Sequence, residues 1–147
     1  MNRKEFIQTC GVSCLGFAGI SMALTGCASL YSVQGTVTDK TISFPKDSFV
    51  EIKKSGKKLP RRVVVVNVDN LKFPVAVYDN GNDKYTALWL KCSHQGNEVS
   101  VHGDLLSCSA HGSEYDTLGK VIKGPAKEDL RKFNVRSNET TLYIELA

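Results

Sequence analysis

Two short stretches constrain this chain more than anything else in it: Cys92-Ser93-His94-Gln95-Gly96 and Cys108-Ser109-Ala110-His111-Gly112. Each offers one thiol and one imidazole, with one residue between them in the first stretch and two in the second. Donors this close in sequence cannot be spread around a globular surface. The spacing predicts two turns that clamp one metal centre between them. A closed structural zinc site would also use two Cys and two His, although zinc sites more often pair Cys with Cys and His with His.

The chain downstream narrows the choice. After His111 come Gly112, Ser113, Tyr115 and Asp116, then Gly119, Val121, Gly124-Pro125-Ala126 and Leu130. With the two Cys/His pairs, this run resembles the Rieske iron–sulfur family, which reads H-G-S-x-[YF]-D-x-x-G-x-V-x-x-G-P-A-P-x-x-L here. Lys127 stands where the family has a second proline. The resemblance covers about residues 90–135 closely. It implies a 2Fe-2S cluster held by Cys92, His94, Cys108 and His111, one iron on the two thiolates and the other on the two imidazoles. Some family members bridge the two loops with an extra disulfide; the matching positions here are Asn97 and Ala110.

The first part of the chain reads as an address. Arg3 and Lys4 give a basic start, no charged residue occurs from Phe6 to Thr38, and Val12–Leu24 is apolar but rich in Gly, Ala and Ser. That stretch is short for a membrane span, which needs roughly 20 apolar residues, and fits a secretory signal. It ends in Leu24-Thr25-Gly26-Cys27, which resembles a bacterial lipobox. Residues 1–26 are therefore expected to be a signal peptide, Cys27 the lipidated residue, and residues 27–37 a tether. The alternative is an uncleaved anchor helix. Asn2-Arg3-Lys4-Glu5-Phe6 also resembles a twin-arginine export signal with Lys4 in the second arginine position. Of the five cysteines, Cys10 and Cys14 fall in the signal, Cys27 is blocked by lipid, and Cys92 and Cys108 are ligands, so no pair is left for a disulfide.

Residues 38–147 read as one all-β domain. Alternation runs over Thr38–Phe44, and Val63–Val66 is a consecutive apolar run that suggests a strand buried on both faces. Further strands are expected over Phe49–Ile52, Phe73–Tyr78, Lys84–Leu90, around Val99 and Val101, at Leu105-Leu106, over Phe133–Val135 and over Thr140–Leu146. Asp79-Asn80-Gly81-Asn82-Asp83 is a turn signal. Asp129–Lys132 suggests a single helical turn. The resemblance implies a Rieske-type fold of small antiparallel sheets, with a cluster-binding subdomain inserted at about residues 91–117. Trp89 is read as core packing and His102 as an exposed turn residue.

With 147 residues and a formal charge of +4, the chain is of ordinary size for one domain and only mildly basic, which argues against a nucleic-acid partner. Lys53, Lys54, Lys57, Lys58, Arg61 and Arg62 form the one dense basic run. Its simplest reading is a solvated loop, and its alternative is a patch for anionic lipid or an acidic redox partner.

The resemblance implies an electron-transfer component, a carrier or an oxidoreductase subunit. Imidazole in place of two thiolates lifts the potential of such clusters to about −150 to +300 mV, against about −400 mV for all-Cys plant-type clusters. High-potential members place a Ser hydroxyl on a bridging sulfide and a Tyr hydroxyl on a cysteine sulfur, at positions that match Ser113 and Tyr115. The expected protein is a lipid-anchored carrier of the bacterial cell envelope, partnered by a cytochrome or a quinol-oxidising complex. The alternatives are a ferredoxin-like donor to an oxygenase or reductase, and a zinc-stabilised interaction domain.

Overall fold

A computed structural model describes residues 30–146. Fourteen strands follow one another: β1 (Ser32–Gln34), β2 (Thr36–Thr38), β3 (Thr41–Pro45), β4 (Val50–Ile52), β5 (Lys58–Pro60), β6 (Val63–Asn67), β7 (Val75–Asp79), β8 (Tyr85–Trp89), β9 (Ser100–His102), β10 (Leu105–Cys108), β11 (Ser113–Tyr115), β12 (Val121–Lys123), β13 (Lys132–Ser137) and β14 (Thr141–Glu145). One turn of 3-10 helix, Lys46–Phe49, leads into β4. The fold is all-β, as expected.

Eight strands form the base, in the order β1-β6-β7-β8-β13-β14-β3-β2. Burial explains why some of them alternate and others do not. In β3, Ile42 and Phe44 are buried, and in β14 Leu142 and Ile144 are, while their neighbours are half-buried or exposed. These strands cover a core on one face only. The central strands are covered on both. Val64, Val66, Val75, Val77 and Ala87 join Ile42, Phe44, Phe133, Leu142 and Ile144 in a first core. Val65, Ala76, Tyr78 and Leu88 point the other way into a second core. The consecutive valines of β6 are therefore each spoken for, as a two-sided strand requires.

The two ends of the base are one continuous piece of chain. β1 runs parallel to β6 at one end, and β2 pairs antiparallel with β3 at the other. Only Gly35 separates β1 from β2. A Cβ on Gly35 would stand 2.5 Å from Ile42 Cγ2 and 2.8 Å from Val66 Cγ1. The close approach of β3 and β6 at this point thus requires a residue without a side chain. Val33 and Val37 on either side pack against the first core. That packing corrects the expected tether: residues 32–37 belong to the sheet. The signal segment 1–26 and Cys27 lie outside the described residues. No helix among the described residues is long and apolar enough to cross a membrane.

Two further readings change. Thr38–Phe44 is not one strand: Asp39 and Lys40 both have positive φ, 48° and 61°, and form a two-residue hairpin turn between β2 and β3. Asp-Lys lacks the glycine that usually marks such a turn. Residues 129–131 are an irregular connection, without the expected helical turn, before β13 begins at Lys132.

β8 and β13 pair directly, Ala87 with Phe133 and Leu88 with Lys132. Everything between them is an insert built on a four-stranded antiparallel sheet, β12-β11-β10-β9. It runs further than the expected 91–117, because β12 pairs with β11 and the chain returns to the base only at β13. The second core lies between base and insert: Leu88, Leu90, Val99, Leu106, Tyr115, Ala126 and Leu130 pack together with Cys92 and Cys108.

Gly35→Ala is expected to lower stability by about 1–3 kcal/mol, because the added methyl overpacks a closed core. Urea unfolding measures it. A variant as stable as the parent would show that the contact of β3 with β6 at this point relaxes freely.

Candidate metal centre

The two Cys/His stretches fold into the same turn. In the first, the carbonyl of Cys92 accepts the N–H of Gly96 at 2.8 Å, and in the second that of Cys108 accepts the N–H of Gly112 at 2.9 Å. Both glycines have positive φ, 71° and 79°. The turns differ in which inner position carries the histidine. Each hangs from the insert's framework. The first is closed by a bridge between Lys91 and Glu98 and by the Cys92 N–H donating to the Asn97 carbonyl at 2.7 Å. The second joins β10 to β11, with Cys108 directly across from Ser113.

The thiols are inside and the imidazoles outside. Cys92 and Cys108 are 2% and 1% exposed, whereas His94 and His111 are exposed. The two thiols are free and interact with each other, and the imidazole rings stand edge to face with centroids 5.1 Å apart. The donor set is therefore divided into a sulfur pair and a nitrogen pair. Among the described residues, no three His, Cys, Asp or Glu side chains converge on one point that a single ion would occupy.

Backbone geometry treats the two sulfurs alike. Each receives N–H groups from the residues two and three places ahead: His94 and Gln95 at Cys92, Ala110 and His111 at Cys108. Burial pushes both thiols up. At Cys92 the hydrogen bonds, led by the Tyr115 hydroxyl, outweigh burial and hold the thiol below its ordinary value. At Cys108 burial wins, helped by the neighbouring sulfur of Cys92, and the thiol lies above it.

Tyr115 is completely buried, and its hydroxyl stands 3.3 Å from Cys92 Sγ. It accepts the Ser93 N–H at 3.3 Å and lies 3.0 Å from Ser93 Oγ. The Ser93 hydroxyl in turn donates to the Glu128 carbonyl. With that proton engaged, the Tyr115 proton is left for Cys92 Sγ or Ser93 Oγ. Burial, followed by the adjacent Cys92, pushes the Tyr115 phenol up, so it remains a protonated donor. Ser113 is also fully buried; its Oγ accepts the Ala126 N–H at 3.0 Å. Among the described residues, its own proton has no acceptor.

The segment after β12 closes the site from the side. Ala126 and Glu128 are tied to Ser113 and Ser93, and Asp129 Oδ1 accepts the Val121 N–H at 2.9 Å. Sequence reasoning picked out Gly124-Pro125-Ala126 but missed Ser93 as the contact to this segment. A Cys-Ser pair opens both turns, yet Ser109 is exposed, so the pair alone does not mark Ser93. His102 is exposed at the end of β9 and stands apart from both turns, as read. Trp89 is half-buried, donates to the Phe73 carbonyl at 3.2 Å and packs against the first core.

Comparison with known proteins settles the family. The model of the Rieske [2Fe-2S] domain matches residues 39–134. The chain belongs to the Rieske family. Its cofactor is accordingly a 2Fe-2S cluster. A cytochrome b6-f complex iron-sulfur subunit of Chlorobaculum tepidum is 29% identical over 72 residues, 46% of this chain and 39% of the relative. One from a Synechococcus strain is 43% identical over 56 residues, 37% of this chain and 33% of the relative. The chain thus spans well under half the length of these relatives. The crystal structure of the cyanobacterial plasma membrane Rieske protein PetC3 from Synechocystis PCC 6803 shares 30% identity, with a TM-score of 0.49, over 57% of this chain and 86% of that one.

The residues present fit a Rieske cluster. A two-iron group asks for two donors on each iron, and the donors are split two and two. A sulfur-rich group also suits a buried hydroxyl whose proton has no acceptor among the described residues, as at Ser113.

Gly112→Ala is expected to destabilise the domain by about 1–2 kcal/mol, the cost of holding an L-residue in the left-handed region. Nothing lies within 4 Å of the position its Cβ would take, so the effect is one of backbone conformation alone. Gly112→Asn is expected to cost less, and thermal unfolding of both variants checks the order.

Proposed function

We propose that this chain is a lipid-anchored electron-transfer protein of a bacterial cell envelope, holding its cluster through Cys92, His94, Cys108 and His111. The observation that carries the reading is the split donor set, with a buried sulfur pair and an exposed nitrogen pair. When bound, the cluster accepts and returns one electron at a potential raised by its two imidazoles. The protein's part is to hold, shield and tune it. The buried thiols keep water from the sulfur end. The exposed rings of His94 and His111 make one edge of the site reachable by a partner, and no other ligand side chain reaches the surface.

Tuning falls to the two hydroxyls. The Tyr115 hydroxyl is within reach of both Cys92 Sγ and Ser93 Oγ, and a charged sulfur is the stronger acceptor of the two. The Ser113 proton is available to whatever lies between the turns. Hydrogen bonds to sulfur favour the more negative, reduced state and so raise the potential. A high-potential carrier suits quinol or cytochrome chemistry. The relatives that are cytochrome b6-f complex subunits support a partner of that kind. The charge-free segment up to Thr38 and the Leu24-Thr25-Gly26-Cys27 box support export and attachment through lipid at Cys27. In this reading residues 1–26 are the signal peptide.

Replacing Cys92, His94, Cys108 or His111 with Ala is expected to abolish the native paramagnetic signal of the reduced protein. A variant that retains it would show that its residue is not a ligand. If one hydrogen bond favours the reduced state by ~1–2 kcal/mol, Tyr115→Phe and Ser113→Ala should each lower the potential by about 40–90 mV, taking a tenfold change as 59 mV, with the cluster still bound. Protein-film voltammetry reads the shift, and unchanged potentials would remove the support for a quinol-linked role.

Mass spectrometry of protein purified from membranes tests the anchor separately. The expected mature form begins at a lipidated Cys27, and Cys27→Ser is expected to accumulate as the uncleaved form. An intact, unmodified N-terminus on the parent protein would replace the lipid with a helix anchor.

A further inference from the structure

The basic run of the sequence folds into a separate two-stranded sheet, β4 paired with β5. Its tip is an ordered turn: the Lys53 N–H donates to the Lys57 carbonyl at 2.9 Å, the Gly56 N–H donates to the Lys53 carbonyl at 2.8 Å, and Gly56 has a φ of 77°. Lys53, Lys54, Lys57 and Lys58 are all exposed. Against Glu51, they give residues 50–60 a charge of +3 out of the chain's formal +4. Of these four lysines only Lys53 has an ionic partner among the described residues, and that is Glu51 in the same hairpin.

The hairpin is also apolar where a solvated loop would not be. Val50 and Ile52 alternate onto one face, 38% and 69% exposed, and their cross-strand partners Pro60 and Lys58 are exposed too. The other face carries half-buried Glu51 and Leu59. An exposed isoleucine framed by lysines is the side-chain pattern of a surface that meets a membrane interface: apolar atoms enter among the headgroups and ammonium groups meet lipid phosphates.

Position supplies the occupant. The Arg61 guanidinium ties the base of the hairpin to the beginning of the described chain: it donates to the Val50 carbonyl at 2.7 Å and lies 4.0 Å from the centroid of the Tyr31 ring. Leu30 and Tyr31, both exposed, line one groove together with Glu51 and Arg61. The hairpin therefore stands where the chain arrives from the segment that would reach the anchor. The His102–Gly103 turn borders the same groove and is at the end of β10 remote from Cys108. A membrane seated on the hairpin would leave the two ligand turns uncovered.

We propose that the β4–β5 hairpin is a second membrane contact, binding the anionic headgroups of the lipid surface to which the chain is attached. The inference rests on attachment of the chain to a membrane, as argued above, and the test reads the two separately. The full chain is reconstituted into vesicles of phosphatidylcholine alone, or with phosphatidylglycerol added. Flotation with the neutral vesicles reports attachment. Trypsin cleavage at Lys53–Lys58, referred to cleavage at exposed Lys127 and followed by mass spectrometry, reports the hairpin.

On anionic vesicles the hairpin cuts are expected to slow on the order of tenfold relative to neutral ones, and to recover in high salt as the charges are screened. Replacing the four lysines with Gln should remove the preference for anionic vesicles in a flotation assay of protein whose Cys27 carries no lipid, and leave thermal unfolding unchanged, because all four side chains are exposed. Equal cleavage on both vesicles, in protein that floats with both, overturns the hairpin contact and leaves attachment standing. Protection that requires an acidic redox protein instead of the anionic lipid also overturns it. Failure to float with neutral vesicles overturns the attachment on which it rests.

Discussion

Burying two sulfur atoms as anions is costly unless hydrogen bonds compensate, and the insert is built around that requirement. Cys92 and Cys108 belong to the same packed core as Leu88, Leu90, Leu106 and Leu130. As thiols they pack there as small hydrophobes. As metal-bound thiolates they need donors, and the turn that follows each one brings two backbone N–H groups to its sulfur. Such a turn must come back sharply, so each needs a residue in the left-handed region, which Gly96 and Gly112 provide. The histidines ride on these turns and are carried outward. Burial of sulfur and exposure of nitrogen are thus two results of one local geometry.

The two turns are equivalent in backbone and unequal in surroundings. Cys92 has the Tyr115 hydroxyl 3.3 Å away in addition to its backbone donors, while Cys108 has only the backbone and the other sulfur. The Tyr115 hydroxyl lowers Cys92, and the mutual contact of the two sulfurs lowers Cys92 while raising Cys108, so the two thiols shift in opposite directions. Tyr115 is placed by β11, two residues beyond Ser113, and alternation along the strand turns both residues into the interior. One three-residue strand therefore delivers both buried hydroxyls to the site.

Much of this was legible in the sequence because it rests on short-range constraints. The paired donors, the glycine after each pair, the valine run of β6 and the turn around Gly81 all declare themselves within a few residues. What escaped depends on contacts between distant parts of the chain. β1 and β2 look like polar linker; they become strands because Gly35 lets β3 and β6 approach and because Val33 and Val37 find the first core. The Asp39-Lys40 turn escaped because it carries no glycine to mark it; it shifts the alternation by one residue, so that Val37 shares a face with Ile42 opposite it. The insert was read too short because Val121–Lys123 is only three residues long and pairs with β11, the second ligand turn's own strand. Ser93 could not be told from Ser109 before the segment around Glu128 was seen to lie against it.

The same long-range ties explain how the turns stay in register without a disulfide. At the positions where a bridging pair would stand, Asn97 accepts the Cys92 N–H through its backbone carbonyl, and Ala110 is exposed. The link between the turns is made instead through Tyr115, which reaches from β11 to Cys92 and Ser93, and through Ser93 to the Glu128 carbonyl. The bonds through Ser93 are neutral, each worth about 1 kcal/mol net, and they act on a frame already fixed by β9–β12 and the second core. A bound cluster adds its binding free energy to the folded state alone. Its loss should therefore loosen the ends of the two turns, where the imidazoles are exposed and pack only on each other, well before it loosens the leucines beneath them.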